Sequence, residues 1–116
     1  MKKRERVKRE LLRERNHRCE GILFDQMILK EYHKCGEGLH MNEVFFTRSD
    51  FQKLTEKEKE YFWDKINCSI VCGVFHSRWG ESRKFREYYY KIQCLRFGKH
   101  VVDAWIENAP LKIRWW

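Results

Sequence analysis

At 116 residues with 42% hydrophobic content, the chain has room for one domain with a modest core and a single site, and little for a second domain. Its net charge of +8 is uneven: residues 1–18 hold nine Lys and Arg against three Glu, so the basic character is largely an N-terminal device. No run of about 18 apolar residues offers a membrane span, and no apolar stretch follows the N-terminal charges as a secretory leader requires, which leads us to expect a cytoplasmic protein with no membrane association. In a reducing compartment five cysteines point to metal ligands or buried thiols rather than disulfides, with Cys94 expected to stand apart.

Residues 2–16 contain strong helix formers and no Gly or Pro, which predicts a basic helix. Its apolar strip, Val7, Leu11 and Leu12, reads as too narrow to bury deeply, so the helix is either a solvated face or a phosphate-contacting one. From Cys19 to Cys35 the pattern is mixed and reads as a loop-rich insertion, with Phe24, Met27 and Leu29 among the residues available to pack. Gly36 and Gly38 flank a turn, and 39–46 has the content of a strand. Leu39 and Met41 would share one face of it, His40 and Asn42 the other. Ser49 with Gln52, and Thr55 with Glu58, have the form of capping boxes, which predicts a helix over 50–65. Residues 66–72 read as a second strand ended by Gly73, with a helix beginning near His76. Ser82 starts a helix over 83–97 with Gly98 as its cap, with Phe85, Tyr88, Tyr89, Ile92 and Leu95 as its core stripe. A last short helix occupies 99–108 before Pro110, and the tail with Trp115 and Trp116 is expected to fold back because it is too apolar to dangle.

A His-bearing strand, then Asn67, then His76, with cysteines around them, resembles the HNH (ββα-metal) endonuclease family. The best-matching piece runs Asn67-Cys68-Ser69-Ile70-Val71-Cys72-Gly73-Val74-Phe75-His76, and the segments Gly80–Arg86 and Ala109–Ile113 are similar to small bacteriophage-encoded members. The resemblance implies an α+β fold: a zinc-stabilised ββα-metal core over 19–80, a basic N-terminal helix over 1–18 and a helical extension over 81–116. It implies that His76 is a ligand of a catalytic divalent metal (Mg, Mn or Ni), that Asn67 is the orienting Asn, and that the general base comes from residues 40–43. Where relatives read His-Glu-Val-Phe, this chain has Asn42-Glu43-Val44-Phe45. An amide cannot act as a general base near neutral pH, so His40 is expected to substitute as base or ligand, or Glu43 to bind the metal; on the same logic Asn42→His is expected to raise cleavage.

Cys19, Cys35, Cys68 and Cys72 bracket the motif as a structural zinc site does in that family, with buried thiols as the plainer alternative. His33, between Tyr32 and Cys35, is the histidine best placed to substitute as a ligand, ahead of His17 and His100. Arg48, Arg78, Arg83, Lys84 and Arg86 are candidate phosphate contacts. Two functions are expected from these parts. One is a metal-dependent nuclease that grips double-stranded DNA by its backbone with low sequence specificity, in the host cytoplasm if phage-encoded. The other is a degenerate, zinc-stabilised module that binds nucleic acid or a protein partner without cutting.

Overall fold

A computed structural model describes residues 2–112, apart from the side chain of Arg48. Among these residues the chain is α+β, with six helices and one two-stranded antiparallel sheet. Strand β1 (Leu39–Glu43) pairs with β2 (Cys68–Cys72) in the register Leu39↔Cys72, Met41↔Ile70, Glu43↔Cys68. Because side chains alternate along a strand, Leu39, Met41 and Glu43 share one face with Cys68 and Ile70, while His40, Asn42, Ser69 and Val71 share the other.

Helix α1 (Lys3–Glu14) covers the first face. Val7 and Leu11 are buried there with Met41, Cys68 and Ile70, at 5% and 0% exposure, so the strip buries more deeply than its width suggests. Two side chains at i,i+4 spacing suffice because the sheet face they meet is itself apolar. Arg4 pairs with Glu43, and Glu10 and Glu14 turn toward Lys65. Lys2, Arg6, Arg9 and Arg13 remain exposed.

The segment expected to be loop-rich is partly helical: α2 (Gly21–Phe24) runs into a π-helical turn (Asp25–Leu29), closed by Lys30 in the left-handed conformation at φ 58°. No continuous apolar stripe announces it, since Leu23, Met27 and Ile28 stay exposed while Phe24 enters a nest of Phe75, Trp79, Phe85 and Tyr88 and Ile22 and Leu29 pack partly buried against the same core. Gly21 is required by close approach, as a Cβ there would meet the Phe75 ring at 2.5 Å.

Between the strands, the single helix expected over 50–65 is instead two 3-10 turns (Arg48–Phe51 and Glu60–Phe62) around the short α3 (Glu56–Lys59). The chain bends so that the buried rings of Phe51 and Phe62 stack at 5.0 Å. Thr55 and Glu58 form the expected capping box; the other joins Thr47 and Asp50 rather than Ser49 and Gln52.

Helix α4 (Gly73–Trp79) starts directly after β2 rather than near His76, because Cys72 is its N-cap and accepts the Phe75 N–H through Sγ at 3.4 Å. Helix α5 (Arg83–Phe97) has the predicted boundaries, with Ser82 Oγ accepting from Phe85 N–H and Gly98 at φ 96°. Its inner face carries Phe85, Tyr89 and Gln93, whereas Leu95 is 84% exposed and does not join the stripe. Gln93 takes the inner position because its amide donates to the carbonyls of Lys65 and Ile66. Helix α6 (Lys99–Glu107) adds Val102 to the core that holds Phe24, Phe45, Phe75 and Phe85. Residues 113–116, and with them the expected fold-back of Trp115 and Trp116, lie outside the described residues. Among the described residues no helix is long and apolar enough to cross a membrane.

Candidate metal centre and histidine pair

Four side chains from separate parts of the chain converge: Cys19 before α2, His33 and Cys35 after the π-helical turn, and Cys72 where β2 becomes α4. One ligand atom from each lies within 4.8 Å of all the others. Local structure presents them. Cys19 Sγ accepts from the N–H groups of Gly21 (3.3 Å) and Cys72 (3.1 Å), while Cys72 Sγ accepts from Phe75. His33 Nε2 is 2.8 Å from Cys35 Sγ and 4.0 Å from Cys72 Sγ, and its Nδ1 is 2.6 Å from Asp25 Oδ2.

Burial pushes the Cys19 thiol up to about 12, and burial with the neighbouring Cys72 raises Cys35. Burial also opposes ionisation of Cys72, but N–H groups donating to its sulfur and bonds from Cys19 and Cys35 outweigh it, so this thiol is lowered. Cys72 is therefore the most readily ionised thiol of the cluster. Three sulfurs and one imidazole nitrogen at these separations are compatible with a structural zinc site, which takes four such ligands tetrahedrally.

Cys68 lies elsewhere. It is fully buried under α1 with Met41 and Ile70, and burial holds its thiol well above the usual value. His33 occupies the fourth place in the cluster, where residue type in the sequence suggests Cys68.

The second constellation lies on the hairpin face away from α1. His40 on β1 and His76 on α4 stack with ring centroids 5.8 Å apart and planes at 19°. His40 is exposed, and its Nε2 is 3.0 Å from the Glu37 carbonyl. A carbonyl only accepts, so in the neutral ring this contact places the proton on Nε2 and the lone pair on Nδ1. His76 is half-buried, and its Nδ1 is buried with no hydrogen-bond partner among the described residues. Beside it an open cleft of about 430 Å³ is lined by His76, Ser77, Arg78, Glu81 and Ser82. Gly73 permits the close approach of the turn that holds His40, since a Cβ there would be 2.6 Å from Glu37 Cβ and 3.1 Å from His40 Nε2.

Most of the remaining candidates are engaged elsewhere. Asn42 is 1% exposed and donates through Nδ2 to the Gly80 carbonyl at 2.9 Å, tying the end of α4 to β1. Glu43 faces α1, on the side of the sheet opposite His40 and His76. Asn67 accepts from the N–H groups of Phe45 and Phe46 and donates to the carbonyls of Phe46 and Phe62, which anchors the ends of the 44–67 excursion. Arg86 donates to the Val44 carbonyl and Arg83 pairs with Glu87, while Arg78 is exposed beside the cleft. His17 and His100 are exposed, and Cys94 stands apart from the cluster.

No protein-family model, curated protein or solved structure matches this chain.

Proposed function

We propose that this is an HNH-type, metal-dependent DNA endonuclease with a structural zinc at Cys19, His33, Cys35 and Cys72. The stacked pair of His40 and His76, with the His76 Nδ1 buried and unpaired and His76 lining an open cleft, carries the reading. The chain order supports it: strand, anchored excursion, strand, then a helix that begins at once and brings its histidine over the first strand. An imidazole nitrogen with no protein partner suits ligation of a divalent cation such as Mg, Mn or Ni, which supplies neutralisation of the charge that builds on a scissile phosphate. His40 Nδ1 removes the proton from the attacking water, since its other nitrogen is held protonated by Glu37. Arg78 beside the cleft and the exposed cations of α1 hold backbone phosphates, which gives affinity without sequence readout. The α1 ridge lies across the sheet from His76, so its phosphates are not those next to the scissile one.

One observation favours a second reading, a binding module that does not cut. Asn42, at the position where relatives carry an imidazole, is committed to the Gly80 carbonyl. Supercoiled plasmid incubated with the protein and Mg²⁺, Mn²⁺ or Ni²⁺ separates the two. Nicking that is lost with EDTA and in both His76→Ala and His40→Ala selects the enzyme. Equal inertness of all three proteins with every metal, alongside intact duplex binding, selects the module.

A further inference from the structure

We propose that Asp25 is the positioning residue that selects Nε2 of His33 as the metal-binding nitrogen, an inference that rests on the zinc reading above. Asp25 is 9% exposed and opens the π-helical turn. A carboxylate buried to this extent needs a compensating partner, and its hydrogen-bond partner is the His33 imidazole. The Asp25 Oδ2 to His33 Nδ1 distance is 2.6 Å. An ionised carboxylate accepts and does not donate, so the proton of the neutral ring sits on Nδ1 and the lone pair on Nε2. Nε2 is the nitrogen directed at Cys35 Sγ and Cys72 Sγ. A histidine that is to ligate must present that lone pair, and a hydrogen bond on the opposite nitrogen is what settles which one it presents.

The irregular backbone of this segment follows from the same requirement. The Asp25 carbonyl accepts the Glu31 N–H at 2.9 Å, and Lys30 at φ 58° reverses the chain so that His33 comes back over the Asp25 side chain. The wide turn thus places one residue so that its backbone closes the loop and its side chain orients the ligand.

Zinc affinity of the full-length protein, measured by competition with a chromophoric chelator, tests the proposal together with the visible spectrum of the cobalt(II)-loaded protein. Asp25→Ala should weaken zinc binding by about 10–100-fold, while cobalt keeps its thiolate charge-transfer bands. Asp25→Asn, which retains an acceptor oxygen, should recover part of the loss. In a His33→Ala background the same Asp25→Ala change should have no further effect, because its action runs through the imidazole. Undiminished affinity in Asp25→Ala overturns the proposal and leaves the zinc reading standing. Additive losses in the double variant, or collapse of the thiolate bands, also overturn it by giving Asp25 a merely structural role. A natural chain that takes up no zinc removes both readings.

Discussion

Asn67 and Phe46 are hydrogen-bonded in both directions: the Phe46 N–H donates to Asn67 Oδ1 at 3.0 Å, and Asn67 Nδ2 donates to the Phe46 carbonyl at 3.1 Å. One side-chain amide here replaces a neighbouring strand, satisfying backbone that leaves β1 into the core. With its further bonds to Phe45 and Phe62, Asn67 fastens both ends of the excursion to the start of β2. Asn67→Ala leaves several buried backbone groups without partners, at about 1–3 kcal/mol each when unmet. We therefore expect it to cost at least about 3 kcal/mol in urea unfolding. Asn67→Asp should be no better, because the lost donors leave two carbonyls facing a carboxylate. A loss below about 1 kcal/mol would mean that the bonds do not hold the excursion.

Zinc stoichiometry should separate the four cysteine candidates, Cys19, Cys35, Cys68 and Cys72, by position rather than by residue type. Cys72→Ser and Cys35→Ser should drop bound zinc well below that of the natural chain, because both sulfurs belong to the cluster. Cys68→Ala should keep the metal and lose only packing under α1. Elemental analysis of the purified variants decides this, and loss of zinc in Cys68→Ala with the fold intact would refute the ligand set.

Removing residues 1–15 is a poor test of DNA contact, because Val7 and Leu11 cover Met41, Cys68 and Ile70 and the deletion uncovers that cluster. Gln at positions 2, 6, 9 and 13 changes charge alone. If each of these cations meets a phosphate, the slope of log K against log salt should flatten by about 0.9 per contact. An unchanged slope, read by fluorescence anisotropy on a duplex, would show that the ridge is not a contact.

Glu14 is held below the ordinary glutamate range, chiefly by its hydrogen bond with Lys65, partly opposed by burial. A lowered folded value means that its contribution is present above the unfolded value and is lost as pH falls through the folded one. Both side chains are partly exposed, so solvent and salt screening limit the effect to about 0–1 kcal/mol. Lys65→Met should remove this acid-side component, seen as a smaller drop in melting temperature between pH 6 and about pH 3. A drop as steep as in the natural chain would place the acid sensitivity elsewhere.

The expected effect of substituting Asn42 by His differs once its surroundings are considered. The sequence alone leads to the expectation of faster cleavage, but Asn42 is 1% exposed and its Oδ1 would be 2.9 Å from a Cβ at Gly80, so there is no spare volume. Overpacking of this kind costs about 1–3 kcal/mol, and the bond to the Gly80 carbonyl is disturbed as well. We expect reduced stability and no gain in nicking. A faster rate at unchanged stability would restore the expectation from sequence.

Local signals carried what the sequence determined by itself. Helix α5 was legible to the residue because Ser82 and Gly98 cap it through contacts within one turn, and the strands were legible in place from their apolar content and flanking glycines, though 44–46 and 66–67 lie outside them. Cys19, Cys35 and Cys72 were identifiable as ligand types, and His40 and His76 as candidate imidazoles for one site. Tertiary structure decided the rest. His33 joins the Cys/His cluster, and Cys68 lies outside it, because a π-helical turn returns the chain over Asp25 while the register of β2 sends Cys68 under α1. Glu43 is separated from His76 by the alternation of one strand whose buried face was set by a helix far away in sequence. Asn42 is a brace rather than a free amide because Gly80 comes within bonding distance of it. Each of these depends on which surfaces meet across long sequence separations, and a pattern read within one window contains no term for that.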